Sequence, residues 1–127
     1  MESQRIAVIL SLLQAHRDHA SVQELGCCQL AKLATNAENR VSIANAGGIA
    51  AILSGMKARI YHAGIQEEGC RALANLATNA ENRVSIAKAG GFDVILSGMK
   101  AHIDHAGVQR QGCCALLDKQ KLLLWLN

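Results

Sequence analysis

The sequence contains no proline and few aromatic residues: one Trp, one Tyr and one Phe among 127 residues. Without proline, no helix is forced to end by a ring that blocks the helical backbone. Because hydrophobic residues make up 50% of the chain and aromatic residues only 2%, the core has to be built from Leu, Ile, Val and Ala. This composition favours closely packed helices over a β-sandwich, which would be richer in aromatic and β-branched residues.

The chain also carries little net charge, with a formal value of +3 at pH 7. Its basic residues are scattered and form no cluster of the kind that binds nucleic acid or a membrane surface. One Trp and one Tyr offer few platforms on which bases could stack. We therefore expect neither a nucleic-acid partner nor a membrane partner, and a steep salt dependence of binding would contradict this expectation.

No segment is apolar over a length that could span a bilayer, since the N-terminal apolar stretch covers only residues 6–13. No small-residue cleavage site follows that stretch, so a secretory leader is not predicted. The chain has five cysteines, an odd number, which without a leader indicates reduced thiols rather than a disulfide framework. These features predict a cytoplasmic or nuclear protein.

The strongest positive feature is an internal repeat with a 43-residue offset. Residues 35–58 and residues 78–101 match at all but four positions. His19, His62 and His105 each begin a block with the pattern His-Ala-x-(Val/Ile)-Gln-x-x-Gly-Cys. A fixed period of this size is typical of stacked-repeat proteins, for which three units are the usual minimum.

Each unit is predicted to contain a short first helix, a second helix and a longer third helix. Apolar residues at positions i, i+3, i+4 and i+7 predict the second helix, and in the middle unit they are Ile49, Ile52, Leu53 and Met56. The third helix of that unit is predicted over residues 63–77, with small and aliphatic side chains on its core face. These core residues are Ile65, Gly69, Ala72, Leu73, Leu76 and Ala77. Glycine recurs at the position of Gly69, which predicts that a neighbouring helix passes too close for a side chain.

The short first helix is predicted to begin at a capping box, in which Thr78 and Glu81 bond each other's backbone N–H groups. Thr35 and Glu38 repeat this pattern one unit earlier. The helix is expected to end at Ala89, because the glycine that follows can adopt the left-handed conformation of a helix end.

The junction before the third helix offers Asp18 and Asp104 as candidate N-caps. Tyr61 stands at this position in the middle unit, so an aspartate cap is not general. The junction histidines are expected to cap or to form hydrogen bonds rather than to bind a metal, because Arg59 replaces the first of them in the middle unit.

These elements predict a single domain over residues 1–127, in which the first repeat has no room for a short first helix. The residues after the last repeat are expected to continue its third helix and to lay apolar side chains over an exposed core. The predicted boundaries are about residues 6–34 for repeat 1, 35–77 for repeat 2 and 78–117 for repeat 3, with 118–127 as an atypical C-terminal extension or cap.

Two segments of the repeat carry a resemblance to a known family. Residues 82–91, Asn-Arg-Val-Ser-Ile-Ala-Lys-Ala-Gly-Gly, supply the first helix and its glycine turn, and residues 70–77, Cys-Arg-Ala-Leu-Ala-Asn-Leu-Ala, supply the third helix. A three-helix unit of about 40 residues with these segments resembles the armadillo repeat. The resemblance covers roughly residues 6–117. It implies an all-α, armadillo-type α-solenoid, which is a right-handed superhelix of three-helix repeats.

The resemblance also implies a function. In the armadillo family the third helices line a groove that binds other proteins, and an asparagine there typically holds the backbone of an extended peptide. Asn75 matches that asparagine, whereas Lys32 and Asp118 stand at the aligned positions of the other units. The tryptophan of importin-like members is absent from all three units, so the binding of nuclear-localisation peptides is not implied.

The leading hypothesis is a non-enzymatic scaffold that binds a protein or peptide along the third helices. Asn75 would pair its amide with the backbone of the ligand, while Glu68 and Arg71 would select its charge. The same residues also fit a solvated helix face without a ligand. The predicted groove residues are Leu25, Cys28, Lys32, Glu68, Arg71, Asn75, Gln111, Cys114 and Asp118.

A structural self-assembly module is the alternative hypothesis, because neither terminal repeat presents the polar outer face that such arrays need to stay soluble. Apolar end faces would then stack on other copies to form a homo-oligomer. The near-identity of the units also fits an engineered array or an excerpt of a longer one. The residues predicted to self-associate are Ile6, Ile9, Leu13, Leu122, Leu123, Trp125 and Leu126.

No pattern in the sequence predicts an enzyme, a cofactor or a metal site. A glycine-rich phosphate loop and a serine-nucleophile motif are both absent. The pairs Cys27-Cys28 and Cys113-Cys114 lack the spacing of a zinc knuckle. Cys27, Cys70 and Cys113 share one repeat position, at a helix spacing too wide for disulfides, and are expected to be buried free thiols.

Overall fold

The computed structural model describes the backbone of residues 2–126 and the side chains of residues 2–117. This part of the chain is all-helical, which confirms the predicted all-α class. The helices are α1 (Glu2–Ala15), α2 (Ala20–Leu33), α3 (Ala37–Asn45), α4 (Gly48–Ala58), α5 (Ala63–Leu76), α6 (Ala80–Lys88), α7 (Gly91–Ala101) and α8 (Ala106–Leu126).

The helices follow the repeat in the sequence. We call α1 and α2 unit 1, α3 to α5 unit 2, and α6 to α8 unit 3. The short first helices are α3 and α6, the second helices are α1, α4 and α7, and the third helices are α2, α5 and α8. Unit 1 begins directly with a second helix, as predicted, although that helix starts at Glu2 rather than near Ile6.

Helices that hold the same place in different units lie against each other. Helix α5 packs between α2 and α8, and α4 contacts both α1 and α7. The predicted apolar faces of the second and third helices are confirmed, because both are buried in this core. The buried residues of α4 and α5 include Ile49, Ile52, Leu53, Met56, Ile65, Gly69, Ala72, Leu73 and Leu76.

Three glycines have the conformation or the surroundings that the sequence predicts. Gly47 and Gly90 have φ angles of 86° and 74°, so they supply the left-handed turn between the first and second helices. A Cβ atom on Gly69 would lie 2.6 Å from Sδ of Met56. The close neighbour predicted at Gly69 is therefore a side chain of the second helix and not its backbone.

The short first helices begin at asparagines, so the predicted threonine capping boxes are wrong. Asn36 Oδ1 accepts hydrogen bonds from the N–H groups of Glu38 and Asn39 at 2.8 and 3.2 Å. In unit 3, Asn79 caps the N–H of Asn82 at 3.0 Å.

The threonines lie one residue too early to cap these helices. Their hydroxyls donate to carbonyl oxygens of the preceding third helix, Thr35 to Lys32 and Thr78 to Asn75, both at 2.8 Å. Each threonine therefore helps to end one helix, while the neighbouring asparagine begins the next.

The Asn-Arg dipeptide that follows in the repeated block satisfies carbonyl groups at the end of the preceding third helix. Asn82 Nδ2 donates to the carbonyl oxygen of Leu76 at 3.0 Å, and Arg83 Nη1 donates to that of Ala77 at 2.7 Å. Arg40 makes the equivalent bond in unit 2. Since the last carbonyls of a helix have no intrahelical donor, these side chains supply it.

The third helices begin at histidines, so the prediction of N-caps at Asp18 and Asp104 is wrong. In α5 the N–H of Ile65 donates to Nδ1 of His62 at 3.2 Å, and in α8 the N–H of Val108 donates to His105 in the same way at 3.1 Å. An aspartate one residue earlier lies outside this turn. The expectation that junction histidines cap or form hydrogen bonds is confirmed for His105 and for His102, whose Nε2 lies 2.8 Å from the carbonyl oxygen of Ile60. The side chain of His19 makes no cap bond.

The cap assignment predicts a difference between two neighbouring substitutions. Asn79→Ala is expected to lower the free energy of unfolding by about 1 kcal/mol, because it removes the acceptor for an N–H group at the start of α6. Thr78→Ala is the matched control and should cost less, since its hydroxyl bond is exposed to solvent. Urea denaturation of both variants measures this, and a larger loss for Thr78→Ala would contradict the assignment.

Candidate interaction face of the third helices

The third helices bring the predicted groove residues onto neighbouring elements. Because α5 packs against both α2 and α8, side chains at equal repeat positions lie on adjacent helices. We call this surface the third-helix face. Its described members, all at least partly exposed, are Leu25, Cys28, Lys32, Glu68, Arg71, Asn75, Gln111 and Cys114. Asp118 lies outside the residues whose side chains are described.

An ion pair occupies the centre of the third-helix face. Arg71 Nη1 lies 3.0 Å from Glu68 Oε1, three residues away on α5. Both side chains are partly buried, and Glu68 is the less exposed of the two. Each charge thus has a partner in the free chain, so a ligand that binds to either group has to compete with the other.

Asn75 has an internal role that the sequence did not indicate. Its Nδ2 donates to the carbonyl oxygen of Ala31 at 2.9 Å, which ties α5 to the end of α2. That carbonyl is among the last of α2, where intrahelical donors run out. The predicted pairing of the amide with a ligand therefore has to use the remaining N–H or Oδ1, because one N–H is already bonded.

The residues around this centre differ in exposure. Leu25 is 63% exposed and Lys32 is also exposed, both on α2. Cys28 lies half-buried on the same helix, while Gln111 and Cys114 present an amide and a thiol on α8. The third-helix face therefore combines an apolar side chain, a cation and hydrogen-bonding groups, which is a mixture suited to a polypeptide.

The cysteines behind this face divide into buried and exposed thiols. Cys27 and Cys70 are buried and free, as predicted. Burial raises the pKa of each thiol to about 12, and the negative charge of Glu68 adds to the effect at Cys27. Cys113 holds the same position in unit 3 but is exposed, so the prediction of burial is wrong there. Among the described residues, no further third helix covers α8.

Thiol reactivity should follow this division. With Ellman's reagent at pH 8, Cys113 and Cys114 are expected to react quickly, whereas Cys27 and Cys70 should react only after unfolding. The reason is that the thiolate is the nucleophile, and burial suppresses both thiolate formation and access. Counting thiols released with and without denaturant measures this. Fast labelling of Cys27, found by peptide mapping, would contradict the structure.

The residues predicted to form an apolar end face on unit 1 are only partly available. Ile6 and Leu13 are 2% and 3% exposed, because they point from α1 into the core, and Ile9 is half-buried. The prediction that Ile6 and Leu13 form an exposed face is therefore wrong. The exposed apolar side chains at this end are Val8, Leu12 and Leu25. The other predicted residues, Leu122, Leu123, Trp125 and Leu126, lie outside the described side chains.

A cleft of about 260 Å³ lies between α1 and α2 at this end of the chain. Its walls are almost entirely apolar and include Leu12, Val22 and Leu25. Two of the residues predicted for the end face, Ile9 and Leu13, also line this cleft, so the prediction and the structure overlap there.

Repeated glutamines tie the second helices to the third helices, a role that sequence reasoning missed. Gln66 Nε2 donates to the carbonyl oxygens of Met56 and Arg59 at 2.9 and 3.0 Å. Gln23 and Gln109 make the equivalent pair of bonds in units 1 and 3. The signal was present, since glutamine occurs at this position in every unit of the repeat.

Neither a metal cluster nor a long membrane-spanning helix is found among the described residues. No three His, Cys, Asp or Glu side chains of residues 2–117 are grouped so that they could hold a metal ion. In the same part of the chain, no single helix is long and apolar enough to cross a membrane. Helices α3 and α4, which are bent by 72° relative to each other, reach the required length and apolar composition only when taken together. Comparison with protein-family models, curated proteins and solved structures gave no match.

Proposed function

We propose that this chain is an armadillo-type repeat scaffold, without enzymatic activity, that binds a segment of another protein across the third-helix face. The observation that supports this proposal is the side-by-side packing of α2, α5 and α8, which places polar and apolar side chains at regular steps along one surface. A surface of this kind suits an extended segment that crosses several helices. The right-handed superhelix implied by the armadillo resemblance is part of the same proposal.

Asn75 would hold the backbone of such a segment through its Oδ1. The bond from Nδ2 to Ala31 fixes the orientation of the amide before the ligand arrives. A group that is already ordered loses less conformational entropy on binding than a free side chain. In this proposal Oδ1 accepts a hydrogen bond from a backbone N–H of the ligand.

Glu68 and Arg71 would select the charge of the ligand by exchanging their mutual ion pair for a ligand group. A carboxylate of the ligand would take the place of Glu68 at the guanidinium of Arg71, and a cation would take the place of Arg71. Since the pair is partly buried, the exchange occurs where electrostatic interactions are less screened than in open solvent.

A peptide-display selection on the immobilised chain tests the proposal, with the selected peptide titrated against designed variants. In Glu68→Arg/Arg71→Glu the two charges exchange places but the ion pair is kept, so the fold should be retained. We expect this variant to weaken peptide binding about tenfold or more. Lys57→Glu, an exposed change on the second helix α4, is the matched control and should bind as the wild type does.

Two results would contradict the proposed function. One is a selection that enriches no peptide above background. The other is a selected peptide whose affinity drops equally with Lys57→Glu and with the exchange of Glu68 and Arg71. Asn75→Ala is unsuitable as the first test, because it also removes the bond to Ala31 between two helices.

Self-association is the second candidate, and the exposed apolar surface of unit 1 is the observation that favours it. Leu12 and Leu25 line the apolar cleft between α1 and α2, and Val8 is exposed on α1. Contact between two such surfaces would be insensitive to salt, unlike a contact between charges. Sedimentation at several concentrations and two salt concentrations measures this, and a constant monomer would contradict it.

A further inference from the structure

Two side chains of unit 1 project onto two glycines of unit 2. A Cβ atom on Gly55 would lie 3.0 Å from Oε1 of Gln23, and a Cβ atom on Gly64 would lie 2.5 Å from Oε1 of Glu24. Both distances are shorter than an ordinary van der Waals contact. The glycines are therefore the places where unit 2 makes room for unit 1.

The same contact recurs between units 2 and 3. A Cβ atom on Gly98 would lie 2.5 Å from Oε1 of Gln66, and one on Gly107 would lie 2.6 Å from Oε1 of Glu67. We call the adjacent Gln and Glu of one unit the projecting pair, and the two glycines of the next unit the receiving pair. Both interfaces between units use the same repeat positions.

The glutamine of the projecting pair cannot easily move away from a side chain placed opposite it. Nε2 of Gln66 is bonded to two carbonyl oxygens at the end of α4, and Gln66 is fully buried. Its Oε1 is thereby held in position above Gly98. A larger residue at Gly98 would have to break these bonds or push the units apart.

The glutamate of the projecting pair contributes through its charge. Glu24 Oε1 lies 3.9 Å from His62 Nε2, at the start of α5. Glu67 reaches the corresponding place at the start of α8. A carboxylate there lies against the partial positive charge of the helix N-terminus, which is the favourable arrangement.

The outward-facing positions of units 1 and 3 depart from this pattern. Leu12 and Ser21 stand at the two positions where the receiving pair has glycine. On unit 3, Gln109 is retained and is held by the same two carbonyl bonds, but Arg110 replaces the glutamate. Within a sequence that repeats so closely, the contact residues have thus changed at both ends.

We propose that the projecting and receiving pairs determine which unit stacks on which, and that unit 3 of one chain does not stack on unit 1 of a second copy in the repeat register. In that register the fixed oxygen of Gln109 would meet the side chain of Leu12. Arg110 would bring a positive charge to the start of α2, beside His19 and against the helix dipole. The interface residues therefore favour contacts inside the chain and oppose head-to-tail growth. This inference does not depend on what binds the third-helix face.

Sedimentation velocity on three full-length chains tests the proposal over a wide concentration range. The variant Leu12→Gly/Ser21→Gly/Arg110→Glu restores both pairs, and it is expected to form species that grow with concentration. Ser21→Ala/Arg110→Ala leaves Leu12 in place and keeps a Cβ atom at both changed positions, and it should sediment as the wild type does. A folded glycine–glutamate variant with the sedimentation of the wild type would overturn the proposal. Equal growth of all three chains would overturn it as well.

A second variant tests the same rule inside the chain and does not depend on the folding of the first. Gly55→Leu/Gly64→Ser copies the residues of the outer face into the interface between units 1 and 2. We expect the midpoint of thermal unfolding to fall by about 5 °C or more. Ala50→Leu, an exposed change on the same helix, is the control and should have little effect. An unchanged midpoint in the double variant would overturn the proposed rule.

Discussion

Replacing Gln66 with leucine is expected to lower the free energy of unfolding by about 2–4 kcal/mol. The side chain is fully buried, and its Nε2 donates to the carbonyl oxygens of Met56 and Arg59. Leucine has a similar size but no donor, so the buried carbonyl oxygen of Met56 would be left without a partner, while that of Arg59 would keep only the backbone N–H of His62. Leaving a buried acceptor unsatisfied costs more than a hydrogen bond contributes on average.

Gln109→Leu is the matched control, because Gln109 makes the same two bonds in unit 3 but is only partly buried. Water can replace the lost donor there, so a smaller loss is expected. Chemical denaturation of both variants, with the wild-type slope retained, measures the difference. If both variants lose the same free energy of unfolding, the loss comes from the glutamine hydrogen bonds themselves and does not depend on how deeply they are buried.

The helices could be predicted from the sequence because each has a clear apolar periodicity. Ile52 and Met56 in α4, and Leu73 and Leu76 in α5, lie one turn apart on the faces that the structure buries. The repeat strengthens the prediction, since a pattern that returns at a fixed offset is not accidental. Burial of these residues is what the alternation of apolar and polar positions specifies.

The first residues of the helices were harder to predict because the sequence offers two capping residues side by side. Thr78 and Asn79 can each accept a bond from a helix N–H, and only the backbone conformation decides between them. Asn79 has the extended backbone of an N-cap, while Thr78 still belongs to the turn that ends α5. The same ambiguity of one residue separates Asp104 from His105.

Contacts within a helix follow from its geometry, whereas contacts between units could not be predicted from local patterns. Glu68 and Arg71 are three residues apart on one helix, so helical geometry accounts for their ion pair. The bond from Asn75 to Ala31 joins residues of different units, and no periodicity within α5 indicates it. The burial of Ile6 could not be predicted for the same reason, since it depends on the elements that pack against α1.

The middle unit should be the most sensitive to the loss of a core side chain, because α5 is covered by α2 on one side and by α8 on the other. Leu73 is 0% exposed in this position. Leu73→Ala is therefore expected to lower the free energy of unfolding by about 2–5 kcal/mol, through lost burial and a cavity that the neighbouring helices cannot close.

Leu116 holds the same repeat position in α8 and is only partly buried, so Leu116→Ala provides the matched comparison. A side chain that already touches water loses less apolar burial on truncation, and solvent can enter the space it leaves. Thermal and urea denaturation of both variants should give a clearly larger loss for Leu73→Ala. If both truncations cost the same, the stability of the chain does not depend on the covering of one unit by the next. In that case the packing of α5 between α2 and α8 would not be the main source of stability of the third-helix face.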